Sequence, residues 1–380
     1  MTIFSFINIC VLTLNNALFE MHPDKSLRSD GMNPAFYHKF WHIVGKDVVH
    51  ASLEFINNYT FPVGVNDTSI VLIPKNQQHE TLADMRPIVL CNVLYKIISK
   101  MFANRMKTVL LSVIFNAQSA FILRRAITDN IIISAKVMQF LQRNRQRKNG
   151  SVALKIDMSK AYDHIEWKFL QDVMLKMGFA EGDLLSLRQG DLLSLHLFIL
   201  CVEGLSSLIR RQEKAGLIHD VKVVRGAPMV SHLFFADDAF LFFRANQQEA
   251  LVVKSILASY GRASGQPVNF NKSSISFSPN VGAGVVSQVC VELVVHVTSD
   301  HGTYLGLPSC IGRRKKAVFQ SIRDKVWQKL QGWNMTMLSR AGKEILLKTV
   351  AQAMPNYTMN VYLLLLDLCK ELEIIMNSFW

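Results

Sequence analysis

Paired cysteines are what this sequence lacks first. Its six cysteines (Cys10, Cys91, Cys201, Cys290, Cys310 and Cys369) are scattered, with no Cys-x-x-Cys spacing and no paired histidines beside them. That pattern argues against a zinc site and suits thiols kept reduced inside a cell. Long apolar runs are missing too. Val361–Leu366 is broken at once by Asp367, so no stretch approaches a membrane span and a protein with large soluble cores is expected. The opening Met1–Leu14 is apolar but has neither a basic start nor a cleavage site, so it does not read as a secretory signal. The expected location is intracellular, in nucleus or cytoplasm, with no membrane partner.

Acidic charge is scarce: 29 Asp and Glu stand against 42 Lys and Arg, for a net charge of +13. Such a balance suits a polyanionic partner, because Lys and Arg gain affinity by releasing phosphate counterions. Charge alone leaves open a basic protein with no nucleic-acid partner. The cations cluster at Arg143, Arg145, Arg147 and Lys148, and again at Arg313, Arg314, Lys315 and Lys316. A chain of 380 residues can bury a sizeable core and form more than one subdomain.

Two stretches carry chemistry. In Ala153-Leu-Lys-Ile-Asp-Met-Ser-Lys-Ala-Tyr-Asp163, the residues Val152, Leu154 and Ile156 alternate on one face of a strand that delivers Asp157. In His232-Leu-Phe-Phe-Ala-Asp-Asp-Ala-Phe-Leu-Phe-Phe243, two aromatic runs flank Asp237 and Asp238 and predict a hairpin with an acidic tip. Adjacent carboxylates on apolar strands repel one another unless a cation neutralises them. A pair of hard divalent cations held by oxygen ligands is the natural partner, and such a pair performs in-line phosphoryl transfer. The bland alternative is a solvated turn and an ordinary strand-end aspartate.

Elsewhere periodicity predicts helices at 34–58, 90–111, 128–143 and 195–214, and a short strand at 70–73 stopped by Pro74. Residues 312–354 read as two basic amphipathic helices around Gly332-Trp333. Gly182-Asp-Leu-Leu-Ser-Leu187 recurs as Gly190-Asp-Leu-Leu-Ser-Leu195, too short a repeat for a solenoid.

The motifs together resemble the reverse transcriptases of plant non-LTR (LINE-type) retrotransposons, from about Asn16 to the end. In order they are Val71-Leu-Ile-Pro-Lys75, Asp84-Met-Arg-Pro-Ile88, Leu90-Cys-Asn-Val-Leu-Tyr-Lys-Ile-Ile-Ser-Lys100 and Gln118-Ser-Ala-Phe121. Ile127-Thr-Asp-Asn130, the Asp157 segment, Leu187-Arg-Gln-Gly-Asp191, Phe235-Ala-Asp-Asp238 and Tyr304-Leu-Gly-Leu-Pro308 follow. The resemblance implies an α+β polymerase right hand, its antiparallel palm sheet packed on helices. Residues 1–15 stay unassigned, 16–150 correspond to fingers, 151–278 to palm, and 279–380 to a linker and a truncated thumb-like helical region. Neither an endonuclease, a zinc knuckle nor a ribonuclease H segment is recognised in the chain.

The implied activity is RNA-directed DNA polymerisation, with an RNA template, a DNA primer or target and dNTPs as partners. Asp157, Asp237 and Asp238 would be catalytic and would hold two Mg²⁺ ions, with Mn²⁺ as an alternative. Lys75 and Arg86 match positions that bind the incoming triphosphate. Tyr162 matches a steric gate against the 2′-hydroxyl, Gln189 a residue beside nucleotide and template, and Lys272 a proton donor to pyrophosphate. Each of these side chains has an ordinary alternative as a core tyrosine or a solvated polar group. Departures matter as well. A hairpin-bearing segment before Leu187 is absent, and the motif at Ser186–Leu195 has lost one glycine and two prolines, which alters turn geometry and rigidity. Such a loss leaves strand edges unpaired and apolar faces uncovered. The rival reading is therefore a catalytically inactive retrotransposon remnant that at most binds nucleic acid.

Overall fold

In the N-terminal part, α1 (Val11–Phe19) and α2 (Pro34–Asn58) pack on a long helix through Leu14, Leu18, Val48 and Phe55. The computed structural model describes every residue except 1–10, 25–30, 59–62, 76–79, 146–148, 159–163, 180–191, 225, 299–302, 311–314 and 335–337. An antiparallel ribbon follows, β1 (Ser69–Pro74) paired with β2 (Met85–Leu90). β1 ends at Pro74 as expected, with Pro74 itself as the last paired residue, opposite Met85, at an end where its missing N–H costs little. Leu90 belongs to β2 and not to the helix predicted from it. The helix α3 (Val93–Val113) starts only after Asn92, whose side chain accepts the Tyr95 N–H at 2.8 Å. A cap of that kind contributes about 1 kcal/mol. Next comes α4 (Ile127–Arg143).

The carboxylate strand is the middle of a sheet. That sheet is built, in spatial order, from β4 (His232–Phe235), β5 (Asp238–Arg244), β3 (Ser151–Ile156), β6 (Ser274–Phe277) and β7 (His296–Val297). All neighbours are antiparallel save β6 and β7, which pair in parallel and depart from the expected all-antiparallel sheet. The register sets Val152 against Phe243, Leu154 against Leu241 and Ile156 against Ala239. These residues enter the main core. With them lie buried residues of α5 (Trp167–Lys176), α6 (Leu192–Lys214) and α7 (Gln247–Ser264). The opposite face pairs Ala153 with Phe242 and Lys155 with Phe240, and is covered by Val137, Met138 and Leu141 of α4. Both faces of the strands are thus buried, which is why they read as nearly continuous apolar runs.

From Leu193 to Lys214, α6 is long and apolar enough to cross a membrane, contrary to the expectation that no segment reaches that length. Its most apolar window is 72% buried inside the protein, so it serves as the central core helix.

Beyond α8 (Ala283–Leu293), a second ribbon joins β8 (Thr303–Tyr304) to β9 (Leu307–Pro308). Its two turn residues, Leu305 and Gly306, have φ of 51° and 78°, the primed geometry of a two-residue hairpin. The C-terminal helices are α9 (Lys315–Asn334), α10 (Arg340–Leu346, continued by a π-turn at Leu347–Ala351), α11 (Ala353–Met359) and α12 (Leu366–Phe379). They share a separate core of Phe319, Val326, Leu330, Leu368, Leu372 and Phe379. Gly332-Trp333 lies inside α9, not at a break between two helices. A helical glycine costs only about 1 kcal/mol, too little to interrupt a helix packed along its length.

Candidate active site: three carboxylates at one end of the sheet

The hairpin turn is only two residues long, since Phe235 pairs with Asp238 and leaves Ala236 and Asp237 at the tip. Ala236 has φ of 54°, a left-handed conformation that costs an L-residue about 1–2 kcal/mol. Strain of this kind persists only where the surroundings over-determine it. Here they do. Gln118 is buried, and its Oε1 accepts the Ala236 N–H at 3.2 Å and the Ala120 N–H at 2.9 Å. Along β4, the Phe234 carbonyl accepts Ser119 N–H at 3.1 Å and Asn130 Nδ2 at 2.7 Å. Phe234 N–H donates in turn to the Ala117 carbonyl at 2.7 Å. The Gln118–Phe121 and Ile127–Asn130 motifs are therefore a clamp on the strand that presents the acidic tip.

Asp157 is fixed from the other side. Its N–H donates to Ser273 Oγ at 3.2 Å, and its carbonyl accepts the Asn269 N–H at 2.9 Å. Met158 bridges Val268. One step beyond the last β3–β5 pair, the register sets Asp157 across from Asp238. By strand alternation both lie on the face that carries Lys155.

The three carboxylates feel one another. Partial burial pushes Asp237 above the usual carboxylate range; a bond from its own N–H opposes this, the charge of Asp157 adds to it, and Arg86 draws it back. Asp237 keeps an exposed surface at the tip, so the desolvation acts on its inward side. Asp238 is raised by burial, opposed by Lys155 and reinforced by Asp237 and Asp157. Lys155 gives its Nζ to the Thr303 carbonyl at 2.7 Å, so the central strand is bound to the second ribbon beside this acidic cluster. Beneath it Tyr304 is fully buried against Phe240, with ring centroids 4.8 Å apart. Among the described residues, no three His, Cys, Asp or Glu side chains form a ready-made metal cage.

The remaining candidates fall unequally. Arg86 is exposed on β2 and close enough to Asp237 to lower its pKa. Lys75, just after β1, is exposed, and its charge helps to lower the pKa of Asp84. Lys272 is exposed in the turn that also holds Asn269 and Ser273, and its N–H donates to Asn269 Oδ1 at 3.3 Å. Tyr162, Gln189 and residues 182–191 of the repeat lie outside the described residues, while the end of its second copy, from Leu192, opens α6. The roles of Gln118, Asn130, Lys155 and Ser273 went unread in the sequence, though the first three stand inside motifs already singled out.

Residues 73–309 match the family model for reverse transcriptase (RNA-dependent DNA polymerase). A 149 kDa uncharacterized protein of transposon TX1 from Xenopus laevis is 25% identical over 378 residues, covering 83% of this chain and 28% of that protein. An uncharacterized mitochondrial protein of Arabidopsis thaliana is 52% identical over 52 residues, covering 14% of this chain and 43% of that protein. The chain thus spans less than half the length of either curated relative.

Proposed function

Because the chain belongs to the reverse transcriptase family, we propose that it extends a DNA primer on an RNA template in the copying of a retrotransposon. The observation that carries this reading is the acidic end of the sheet, where Asp157 and Asp238 share one face and Asp237 sits at a strained, clamped tip. Two of these carboxylates are held above their ordinary pKa partly by mutual repulsion, so they favour a bound cation. All the donors are hard oxygens, the chemistry that Mg²⁺ or Mn²⁺ takes. Mg²⁺ keeps several ligands from water and substrate phosphate, so a site without a closed protein cage fits it. When bound, two such ions would neutralise the charge that builds on the attacking and leaving oxygens.

The protein's own residues supply the rest. Asp157, Asp237 and Asp238 would hold the cations, and Gln118 and Ser273 fix the backbone from which the first two project. Arg86 would meet the triphosphate of a dNTP, with Lys75 as a more distant charge. Tyr162, Gln189 and Lys272 keep the roles that family resemblance gives them: sugar gate, nucleotide neighbour and proton donor. In this reading residues 16–150 act as fingers, 151–278 as palm and 279–380 as thumb, and the work is intracellular, in nucleus or cytoplasm.

The test is Mg²⁺-dependent dNTP incorporation by the full chain on a primed RNA, beside an Asp237→Ala/Asp238→Ala variant. Incorporation by the parent that vanishes in the variant is the expected result. Folded protein with no incorporation would overturn it.

A second reading, an inactive remnant, has one specific observation in its favour. Ile70, Val71, Leu72 and Ile73 are all exposed on β1, an apolar strand with no cover among the described residues. That is the uncovered edge expected when a neighbouring segment has been lost.

A further inference from the structure

At the end of the sheet opposite the carboxylates lies a cavity of about 400 Å³. It is bounded by the C-terminus of α4, the first residue of β3, the last residue of β5 and the loop before β4. Six strand residues at about 3.4 Å each separate it from Asp157, roughly 20 Å. It is therefore no part of the acidic site.

Its lining is a built one. Asn144 is only 5% exposed, its Nδ2 faces the Asn149 carbonyl at 3.4 Å, and its Oδ1 has no hydrogen-bond partner. A buried acceptor left unpaired costs about 1–3 kcal/mol, which a ligand carrying an N–H donor would recover. Lys222 and Arg244 also line the cavity and supply positive charge. His219 lies beside them, its Nδ1 engaged by the buried Glu249 at 2.9 Å. Phe140 offers an apolar ring, and Asp220 a second acceptor.

A ligand that satisfies all of these has a flat ring, an amino group and an anionic group. We infer that this cavity binds a nucleotide with an amino-bearing base: the base edge on Asn144 and Asp220, and the phosphate on Lys222 and Arg244. Arg pairs with phosphate through its planar fork and Lys as a point charge. The volume is within the range of small-molecule sites. Aromatic contact plus base-edge hydrogen bonds is also how proteins hold single-stranded RNA, so the nucleotide is either free or one unit of a strand. The site is separate from the acidic end and does not depend on polymerisation.

The experiment uses the full chain, both as parent and as the Asp237→Ala/Asp238→Ala variant. Each is photolabelled with 8-azidoadenosine 5′-monophosphate and the attachment mapped by peptide mass spectrometry. Label within 140–151 or 219–229 in both proteins is expected. Apparent affinity should fall about tenfold in Lys222→Gln and in Arg244→Gln. Lys222 is exposed, so its substitution leaves folding intact and decides the matter if Arg244→Gln melts early. Uridine monophosphate, without an exocyclic amine, should compete at least tenfold less well than adenosine monophosphate. Equal competition by adenosine monophosphate and a short oligoadenylate identifies a free nucleotide. Tenfold better competition by the oligomer identifies an RNA strand. Label found only on peptides bearing Asp157 or Asp237, or labelling indifferent to Lys222→Gln, would overturn the inference.

Discussion

The Oε1 of Gln118 receives the backbone N–H of Ala236 at 3.2 Å, across 118 residues of chain. A single buried amide thereby holds the residue that precedes Asp237. Gln118→Leu strands two buried N–H groups, of Ala120 and Ala236. The expected loss is about 2 kcal/mol of unfolding free energy, measured by urea denaturation. Primer extension should fall more than tenfold in protein that remains folded by circular dichroism, because the tip loses its anchor. Unchanged extension would show that the tip is positioned by other contacts.

Ala236 itself is a sharper probe. Gly at this position relieves the positive φ, worth about 1–2 kcal/mol, while adding up to about 1 kcal/mol of chain entropy to the unfolded state. Ala236→Gly should therefore be neutral or stabilising by about 0.5–1 kcal/mol. Ala236→Val, with its branched side chain, should destabilise by more than 1 kcal/mol. Denaturation midpoints in the reverse order would contradict the turn geometry.

Arg125 holds the loop that carries Gln118. Its Nη1 donates to the carbonyls of Phe115 and Gln118 at 2.7 and 2.5 Å, and its Nη2 to that of Ile114 at 2.8 Å. An ammonium cannot span these acceptors as a planar fork does. Arg125→Lys should cost about 2 kcal/mol and reduce extension along with it. A change under 0.5 kcal/mol would mean that water replaces the fork.

His232, the first residue of β4, sets an acid limit on stability. It is buried between the Ser206 and Ser231 hydroxyls, 2.9 and 2.7 Å from its two ring nitrogens, and packs near the Phe115 and Phe234 rings. Burial pushes its pKa down to about 3, and the charge of Arg210 assists. The unfolded state then binds the extra proton below about pH 6.5, so stability falls as pH drops from there toward 3. The limiting slope is about 1.4 kcal/mol per pH unit. Glu203, paired with Arg210 at 2.6 Å, and Glu213 are both raised by burial, and each acts with the opposite sign. Comparison with His232→Gln isolates the histidine: the variant should show a visibly shallower slope near pH 5. Parallel slopes would place the proton elsewhere.

Much of the central sheet was legible in the sequence, because its signals are local. Alternation in Val152, Leu154 and Ile156 and the paired aromatic runs around Asp237 and Asp238 specify strand, face and turn within a dozen residues. The clamp was not legible in mechanism. Asn130 reaches the Phe234 carbonyl across 104 residues, and no short-range pattern announces a side chain bonded to a distant backbone. Leu90 was misassigned for a different reason: a short apolar run before a helix has no period that separates strand from helix. Lys155 carries no sequence signal of its own, because its partner, the Thr303 carbonyl, lies 148 residues away.

The Leu305-Gly306 ribbon has a mechanical consequence. Lys155, two residues before Asp157, grips one arm through Thr303, while Tyr357 of α11 and Tyr362, between α11 and α12, grip Leu305 and Pro308 at 2.7 and 3.0 Å. Those helices have their own core, yet they pull on the same short strap as the acidic strand. One short ribbon thus joins the strand that delivers Asp157 to the C-terminal helical segment through three side-chain-to-carbonyl bonds.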